Sequence, residues 1–253
     1  MLVSITNKCR MGCSHCMDDS RADNEEFMTL EMFKKAIEFN FKHDFSLTIT
    51  GGEPTEHPLF WDFMDIVADY ASKTNVISVI SNGMNFSNED IPKIRKLNQK
   101  SQATICWQIT SDSRYYPIKI DLSQKVFRKC GFCICEHIEK LDPMGRALNH
   151  PEWNFTQIAP HCFNFRSIVR TMGKEKGLTE SVLMLRGRQK FCTPQISFDG
   201  MLKLGESTLC PAVCSITDDE EKIVESIINF HCNKCDSVLK KLPITYRNAI
   251  GET

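Results

Sequence analysis

The chain has 253 residues, of which 42% are apolar and 25% charged. These ordinary values exclude a fibrous repeat and a disordered chain. Basic and acidic residues number 31 and 32 and form no block of like charge, so nothing supports a nucleic-acid-binding surface.

The 13 cysteines are the exceptional feature of this composition. No apolar run is long enough to span a membrane, and none at the start has the form of a signal peptide, so we expect a cytoplasmic protein. In that compartment, many cysteines favour metal or redox chemistry over a disulfide framework.

The first hundred residues alternate between strand patterns and helical patterns. Predicted strands cover Leu2–Thr6, Leu47–Thr50, Val76–Ile80 and Ala103–Ile109. Predicted helices cover Thr29–Lys42, a segment opened by Pro58 with a buried stripe reaching Tyr70 and Ala71, and Ile91–Leu97. Connections of this length suit parallel strands, so we expect an α/β fold that forms a barrel or part of one.

The pattern changes towards the C-terminal part of the chain. Weaker strand patterns occur at 118–120, 131–135 and 182–185. Two short alternating runs, 195–198 and 201–204, flank Asp199-Gly200, which predicts a hairpin with a type I′ turn. We therefore predict a core of residues 1–190 and a small cysteine-rich module of residues 191–253.

Cys9, Cys13 and Cys16 follow the first predicted strand in a C-x3-C-x2-C pattern. Three thiolates on one loop can hold three irons of a [4Fe–4S] cluster and leave the fourth iron open to another ligand. Gly12 allows the loop to bend tightly. A zinc site is the alternative, although zinc loops prefer paired C-x2-C units.

Two polar turns extend this pattern. Gly51-Gly52-Glu53-Pro54 follows the second strand and Ser81-Asn82-Gly83 follows the third. With the cysteines, this order resembles the radical S-adenosylmethionine (SAM) superfamily over about residues 1–112. The resemblance implies a partial (β/α)6 TIM-like barrel, a [4Fe–4S] cluster that binds SAM, and cleavage of SAM to a 5′-deoxyadenosyl radical that abstracts hydrogen. It also implies an electron donor such as flavodoxin or ferredoxin.

The resemblance assigns these turns to SAM. Gly51 and Gly52 are expected to let the backbone approach the ligand. Glu53, followed by Pro54, is expected to accept a hydrogen bond from the SAM amino group. Ser81 and Asn82 are expected at its carboxylate or ribose.

Four further residues resemble the family more loosely. His15 is expected near adenine, Gln108 and Ser111 near ribose, and Arg146 near a carboxylate of SAM. An exposed imidazole, ordinary turn capping and a surface arginine are the respective alternatives. No catalytic residue is assigned beyond these cofactor contacts.

A second cysteine set lies in the predicted C-terminal module. Cys192 and Cys210 are separated by 17 residues, and Cys232 and Cys235 form a C-x2-C pair. Their order resembles the twitch module of radical SAM enzymes, a short form of the SPASM domain, which implies that the four hold an auxiliary [4Fe–4S] cluster. A structural zinc ribbon is the alternative.

The remaining cysteines receive no firm role. Cys106 is expected in the core, and Cys214 is left over from the twitch pattern. Cys130, Cys133 and Cys135, together with Cys162, remain open between a third cluster, a substrate-facing thiol and packing.

The resemblance also suggests a substrate. Enzymes with these modules often modify ribosomally made peptides, so we predict oxidative cross-linking or dehydrogenation of a peptide. The exposed segments 115–117 and 149–166, or a separate peptide-binding partner, would hold it. Dehydrogenation of a small alcohol or amino sugar is one alternative. A non-enzymatic iron–sulfur sensor or zinc-binding protein is another.

Overall fold

The computed structural model describes residues 1–42, 46–73, 75–139, 141, 145–153, 194–205 and 210–230. The strands in these ranges are β1 (Leu2–Ser4), β2 (Leu47–Thr50), β3 (Val76–Ser81), β4 (Thr104–Thr110), β5 (Cys133–Cys135), β6 (Gln195–Ile196), β7 (Met201–Lys203) and β8 (Cys214–Ser215). These described strands form one sheet in the order β5-β4-β3-β2-β1-β6-β7-β8, parallel from β5 to β6. The predicted α/β class is confirmed.

Helices connect the parallel strands. The described helices are α1 (Leu30–Lys42), α2 (Phe60–Tyr70), α3 (Ile91–Lys100), α4 (Lys125–Lys129) and α5 (Glu220–Asn229). The Thr29 hydroxyl accepts a hydrogen bond from the Met32 N–H at 3.2 Å, which satisfies one free donor at the start of α1. Tyr70, expected in the buried stripe, is 46% exposed because it ends α2. No described helix is long and apolar enough to cross a membrane.

The two faces of the parallel sheet differ in polarity. Val3, Ile49 and Val79 belong to the core that the helices cover, and each is at most 1% exposed. Because side chains alternate along a strand, their neighbours lie on the other face. That face carries mostly hydroxyl, amide and thiol groups: Ser4, Thr48, Thr50, Ser78, Cys106, Gln108 and Thr110. A parallel sheet that packs against helices on both faces is apolar on both. This sheet has one polar face, so that face suits contact with a polar ligand.

The predicted hairpin of β6 and β7 forms, but its turn is not type I′. That turn requires positive φ at Asp199 and Gly200, and only Gly200 has it, at +77°. The Gly200 N–H donates to Ser197 O at 2.8 Å, and the Ser197 N–H donates to Met201 O at 3.0 Å. The loop is therefore three residues long and ends on a left-handed glycine.

Other expectations for the later part of the chain have mixed outcomes. Residues 118–120 form no strand, and Ile118 is exposed. β6, expected in the C-terminal module, pairs in parallel with β1 and so extends the core sheet. The division near residue 190 stays a prediction, and the strand at 182–185 lies outside the described residues.

Candidate functional site

The first three predicted iron ligands lie together on the loop after β1. Cys9 and Cys13 are buried, and Cys16 is half-buried. All three line one cavity of about 180 Å³ at the carboxyl ends of the strands, the edge where βα folds place their sites. Gly12 bends the loop with a φ of +68°, which glycine adopts without strain.

The surroundings of the cysteines suit sulfur bound to a cationic group. Burial raises the pKa of Cys9 and raises that of Cys13 to about 12, so neither thiol ionises readily alone. Metal binding deprotonates a coordinating thiol, so this donor set fits an iron–sulfur cluster. Asn82 Nδ2 donates towards Cys9 Sγ at 3.6 Å, and the Ser20 N–H donates towards Cys16 Sγ at 3.4 Å. Hydrogen bonds of this kind tune the potential of a cluster.

Gly51 and Gly52 bring the turn after β2 into contact with the loop after β1. The Gly52 N–H donates to Thr6 O and the Glu53 N–H to Lys8 O, both at 2.8 Å. A Cβ on Gly51 would lie 2.4 Å from Thr6 O, and one on Gly52 would lie 2.3 Å from Lys8 O. Both glycines line the cavity, but the atoms that exclude a side chain belong to the chain itself.

Gly52→Ala should therefore destabilise the fold and displace the cysteine loop. We expect a loss of about 1–3 kcal/mol in the free energy of unfolding, measured by chemical denaturation, with less iron bound after reconstitution. Gly131→Ala is the control for iron binding, because a Cβ there meets nothing within 4 Å. Equal loss of bound iron in the two variants would contradict a role for the contact with Lys8.

The Glu53 carboxylate is fully buried and joins the two polar turns. Its Oε1 accepts hydrogen bonds from the Thr55 N–H at 3.1 Å and the Ser81 hydroxyl at 2.8 Å, and its Oε2 accepts one from the Asn82 N–H at 2.7 Å. Burial raises the pKa of Glu53, while these donors lower it. The hydrogen bond from a SAM amino group to Glu53 stays a prediction.

The other residues of the two turns lie at the same place. Ser81 and Asn82 line the cavity, although the Ser81 hydroxyl is used by Glu53. Pro54 is buried and begins a short 3-10 helix, Pro54–Glu56, that Glu53 caps. Their contacts with SAM stay predictions.

His15 lies in the wall of the cavity, between two tyrosine rings. Its ring centroid is 5.0 Å from that of Tyr115 and 5.1 Å from that of Tyr116. Burial lowers the pKa of His15 to about 4, so the ring is neutral near pH 7. Its Nδ1 is buried without a hydrogen-bond partner in the described structure. The contact of His15 with adenine stays a prediction.

Gln108 and Ser111 lie outside the described wall of the cavity that contains Cys9, Cys13 and Cys16. Gln108 is on the polar face of β4, opposite Cys133, and the Ser111 N–H donates to Cys135 O at 2.9 Å. Neither is among the residues that line the cavity in the described part of the chain. Their contact with ribose stays a prediction.

Sequence reasoning missed several residues of the cavity wall. Thr110, the last residue of β4, could have been found from the position of its strand end. Tyr116, expected to be exposed, is half-buried in the wall, and burial raises its pKa far above the usual range. Asp18 follows Cys16 closely, and burial raises its pKa to about 6 against the opposing charge of Lys203.

Arg146 fastens the cysteine loop from the other side. Its backbone N–H donates to Cys16 O and its Nε to Cys13 O, both at 2.9 Å. Its Nη1 donates to Ser20 O at 2.9 Å and to Asp19 Oδ1 at 3.0 Å. Arg146 also lines the cavity, but a contact with a SAM carboxylate stays a prediction.

Arg146→Met should loosen this loop, because it leaves carbonyl acceptors of the loop without their donor. We expect a loss of about 1–3 kcal/mol in the free energy of unfolding and faster release of iron to a chelator. Arg21→Met is the matched control, because Arg21 is exposed and pairs only with Asp19 among the described residues. The same rate of iron release from both variants would contradict the role of Arg146 in holding the cysteine loop.

Residues 3–115 match the model of the radical SAM superfamily. These residues make up less than half of the chain and are similar to a radical SAM domain. The matched segment contains the three cysteines and both polar turns, and radical SAM domains use a [4Fe–4S] cluster and SAM as cofactors.

Similar proteins extend this result. The antilisterial bacteriocin subtilosin biosynthesis protein AlbA of Bacillus subtilis (strain 168) is 28% identical over 97 residues, which are 38% of this chain and 21% of AlbA. The crystal structure of BtrN in complex with AdoMet and 2-DOIA matches 98% of this chain and 88% of BtrN, with 14% identity and a TM-score of 0.56. BtrN in an open conformation matches 98% and 86%, with 13% identity and a TM-score of 0.50. At this identity, the likeness shows the fold alone.

The cysteines beyond the radical SAM domain are only partly described. Of the four predicted auxiliary ligands, Cys210 is half-buried, while Cys192, Cys232 and Cys235 lie outside the described residues. Cys214 is buried in β8, and burial raises its pKa to about 11. The auxiliary cluster and the twitch module stay predictions.

The thiols between the two sets differ from expectation at one position. Cys106, expected in the core, is half-buried on the polar face, and its Sγ lies 3.8 Å from Cys133 Sγ. Cys135 is the last residue of β5, and Cys130 directly follows α4. Both are half-buried. Cys162 lies outside the described residues.

Proposed function

We propose that this chain is a radical SAM enzyme that cleaves SAM reductively and abstracts a hydrogen atom from an organic substrate. One observation carries the proposal: the three cysteines share a cavity with both polar turns of the radical SAM domain. Three thiolates leave one iron of a cubane without a protein ligand, which is the position that SAM requires.

When bound, the cluster would supply an open iron for SAM and the electron that cleaves SAM to methionine and a 5′-deoxyadenosyl radical. The chain holds and encloses this chemistry. Asn82 and Ser20 direct N–H groups at two of the sulfurs, and Arg146 fixes the loop. The rings of His15 and Tyr116 form part of the wall and limit the access of water. A flavodoxin or ferredoxin would be the electron donor.

Replacing Cys9, Cys13 and Cys16 together by alanine should abolish 5′-deoxyadenosine formation from SAM. If the auxiliary cluster is also present, the wild-type protein should carry about eight irons and the variant about half of them. Iron analysis and chromatography of the products after anaerobic reconstitution measure both effects. Full iron in the variant would contradict the assignment of these ligands.

The non-enzymatic alternative makes a different prediction for the wild-type chain. An iron–sulfur sensor or a zinc-binding protein would form no 5′-deoxyadenosine when reduced in the presence of SAM. The match to the radical SAM model supports an enzyme over a sensor, because a sensor would not need the polar turns after β2 and β3.

The polar face of the sheet favours a small polar substrate. Ser4, Thr50 and Gln108 lie on the mostly polar face of the sheet, where an apolar side chain would find few contacts. We therefore infer dehydrogenation of a small alcohol or amino sugar as the reaction. BtrN, which resembles this chain in fold, is the protein crystallised with AdoMet and 2-DOIA.

Oxidation of a ribosomally made peptide is the second candidate. It is supported by the sequence similarity to AlbA, whose name assigns it to bacteriocin biosynthesis. Two segments were expected to hold a peptide. In the first, 115–117, Tyr116 forms part of the cavity wall. Most of the second, 149–166, lies outside the described residues. A separate peptide-binding partner would then be needed.

The auxiliary cluster would complete an oxidation. Removal of a hydrogen atom from a carbon that bears a hydroxyl leaves a carbon radical, which becomes a carbonyl by losing one electron and one proton. We propose that the cluster held by Cys192, Cys210, Cys232 and Cys235 accepts that electron. The proton would go to solvent.

Cys210→Ala should separate these two steps. We expect the variant still to form 5′-deoxyadenosine, while the oxidised product disappears, because the substrate radical has no electron acceptor. Product analysis by mass spectrometry measures both. Cys130→Ala is the control, and unchanged oxidation by Cys210→Ala would contradict the role of this cluster.

A further inference from the structure

A second cavity lies beside the one that contains the cysteines. It has a volume of about 210 Å³ and is bordered by β1 and β6, with Ser4, Asp18, Gln195 and Lys203 in its wall. At about 30 Å³ per water, it offers the space of about seven waters, enough for one small ring with polar substituents. Asp18 lines both cavities, so a molecule in the second would lie next to the first.

Several polar side chains of this cavity make no hydrogen bond to another described residue. Ser4 is 4% exposed and Gln195 is 7% exposed, yet neither side chain makes a hydrogen bond within the described structure. The Asp18 carboxylate and the Lys203 ammonium form no direct hydrogen bond or ion pair among the described residues, although their opposite charges attract each other.

Neighbouring polar groups in the same wall are satisfied by the chain. The Thr6 hydroxyl donates to Glu26 O at 2.8 Å, and the Ser197 hydroxyl bonds Asp199. The unsatisfied groups are therefore not a general property of this region. The side-chain atoms of Ser4, Gln195, Asp18 and Lys203 reach the cavity and are not used by hydrogen bonds within the described residues, so together they offer donors and acceptors to a bound molecule.

We propose that this second cavity is the substrate subsite and that it binds a small polyhydroxylated molecule with an ammonium group. This inference rests on the proposed radical SAM function and names the substrate class of that site. The Asp18 carboxylate would accept hydrogen bonds from the ammonium group. Lys203 would donate to a hydroxyl oxygen, while Gln195 and Ser4 can each donate and accept.

The charges in the wall support this choice. Among the described residues of the wall, one carboxylate and one ammonium balance each other, which disfavours a polyanion such as a sugar phosphate. Asp18 lies on the side shared with the cysteine cavity, so the ammonium end of the ligand would lie nearest to the site of radical formation. The carbon that loses hydrogen would then be close to the ammonium group.

Glucosamine is a suitable probe, with glucose as the analogue that lacks the amine and L-serine as an amino acid. Thermal unfolding of the reconstituted protein with SAM, followed by circular dichroism, yields apparent affinities, because a ligand of the folded state raises Tm. We expect saturable stabilisation by glucosamine and binding of glucose that is about tenfold weaker or more.

Gln195→Leu is the sharpest variant, because Gln195 lines only the second of the two cavities. It should weaken glucosamine binding about tenfold, because leucine cannot replace the hydrogen bonds of the amide. Asp18→Asn should bind glucosamine no better than glucose. Asp23→Asn, which removes the same charge at an exposed position, should behave as the wild type.

The outcomes separate this inference from the proposed function. Unchanged glucosamine binding by Gln195→Leu, tighter binding of L-serine than of glucosamine, or no stabilisation by any probe would overturn the subsite. Formation of 5′-deoxyadenosine alongside any of those results would leave the radical SAM function standing. Glucosamine binding without any 5′-deoxyadenosine would overturn the function and leave the subsite.

Discussion

Backbone contact with three glycines holds the loop that carries the cysteines. On one side, Gly51 and Gly52 approach the segment after β1 so closely that a Cβ on Gly52 would lie 2.3 Å from Lys8 O. On the other side, a Cβ on Gly145 would lie 2.2 Å from Cys16 O. Any side chain at these positions would push the loop away. The positions of all three predicted iron ligands therefore depend on close packing of main chain against main chain.

Glu53 extends this constraint to the next strand. A buried carboxylate without partners is strongly unfavourable, so its hydrogen-bond donors have to stay in place. Those donors come from Thr55 in the turn after β2 and from Ser81 and Asn82 after β3. Movement of either turn would leave the carboxylate unsatisfied. Asn82 also reaches Cys9 Sγ, so the same network connects Glu53 to a predicted cluster ligand.

The sequence was most informative where one physical requirement fixes a pattern. The strands β1 to β4 and the helices α1 to α3 were predicted because each buries one side in the core. The turn before Gly200 was predicted with the wrong type, because Asp-Gly serves both two-residue and three-residue hairpin loops. Tyr70 shows a related limit, since a helical pattern does not tell where the neighbouring layer ends.

The candidate site was predictable to a similar extent. The spacing of Cys9, Cys13 and Cys16 follows from cluster chemistry, and the structure brings them to one cavity. The hydrogen bonds of Arg146 and the position of Tyr116 depend on segments far apart in the chain, which no local pattern encodes. Gln195, predicted only as part of a hairpin, reaches the second cavity because β6 pairs with β1.

The central claim is that SAM binds in the cysteine cavity against an open iron. Electron paramagnetic resonance of the reduced, reconstituted protein tests it directly, with and without saturating SAM. We expect SAM to change the signal of one cluster, and we expect that signal to be missing when Cys9, Cys13 and Cys16 are alanine. A spectrum that SAM leaves unchanged in the wild-type protein would contradict the claim.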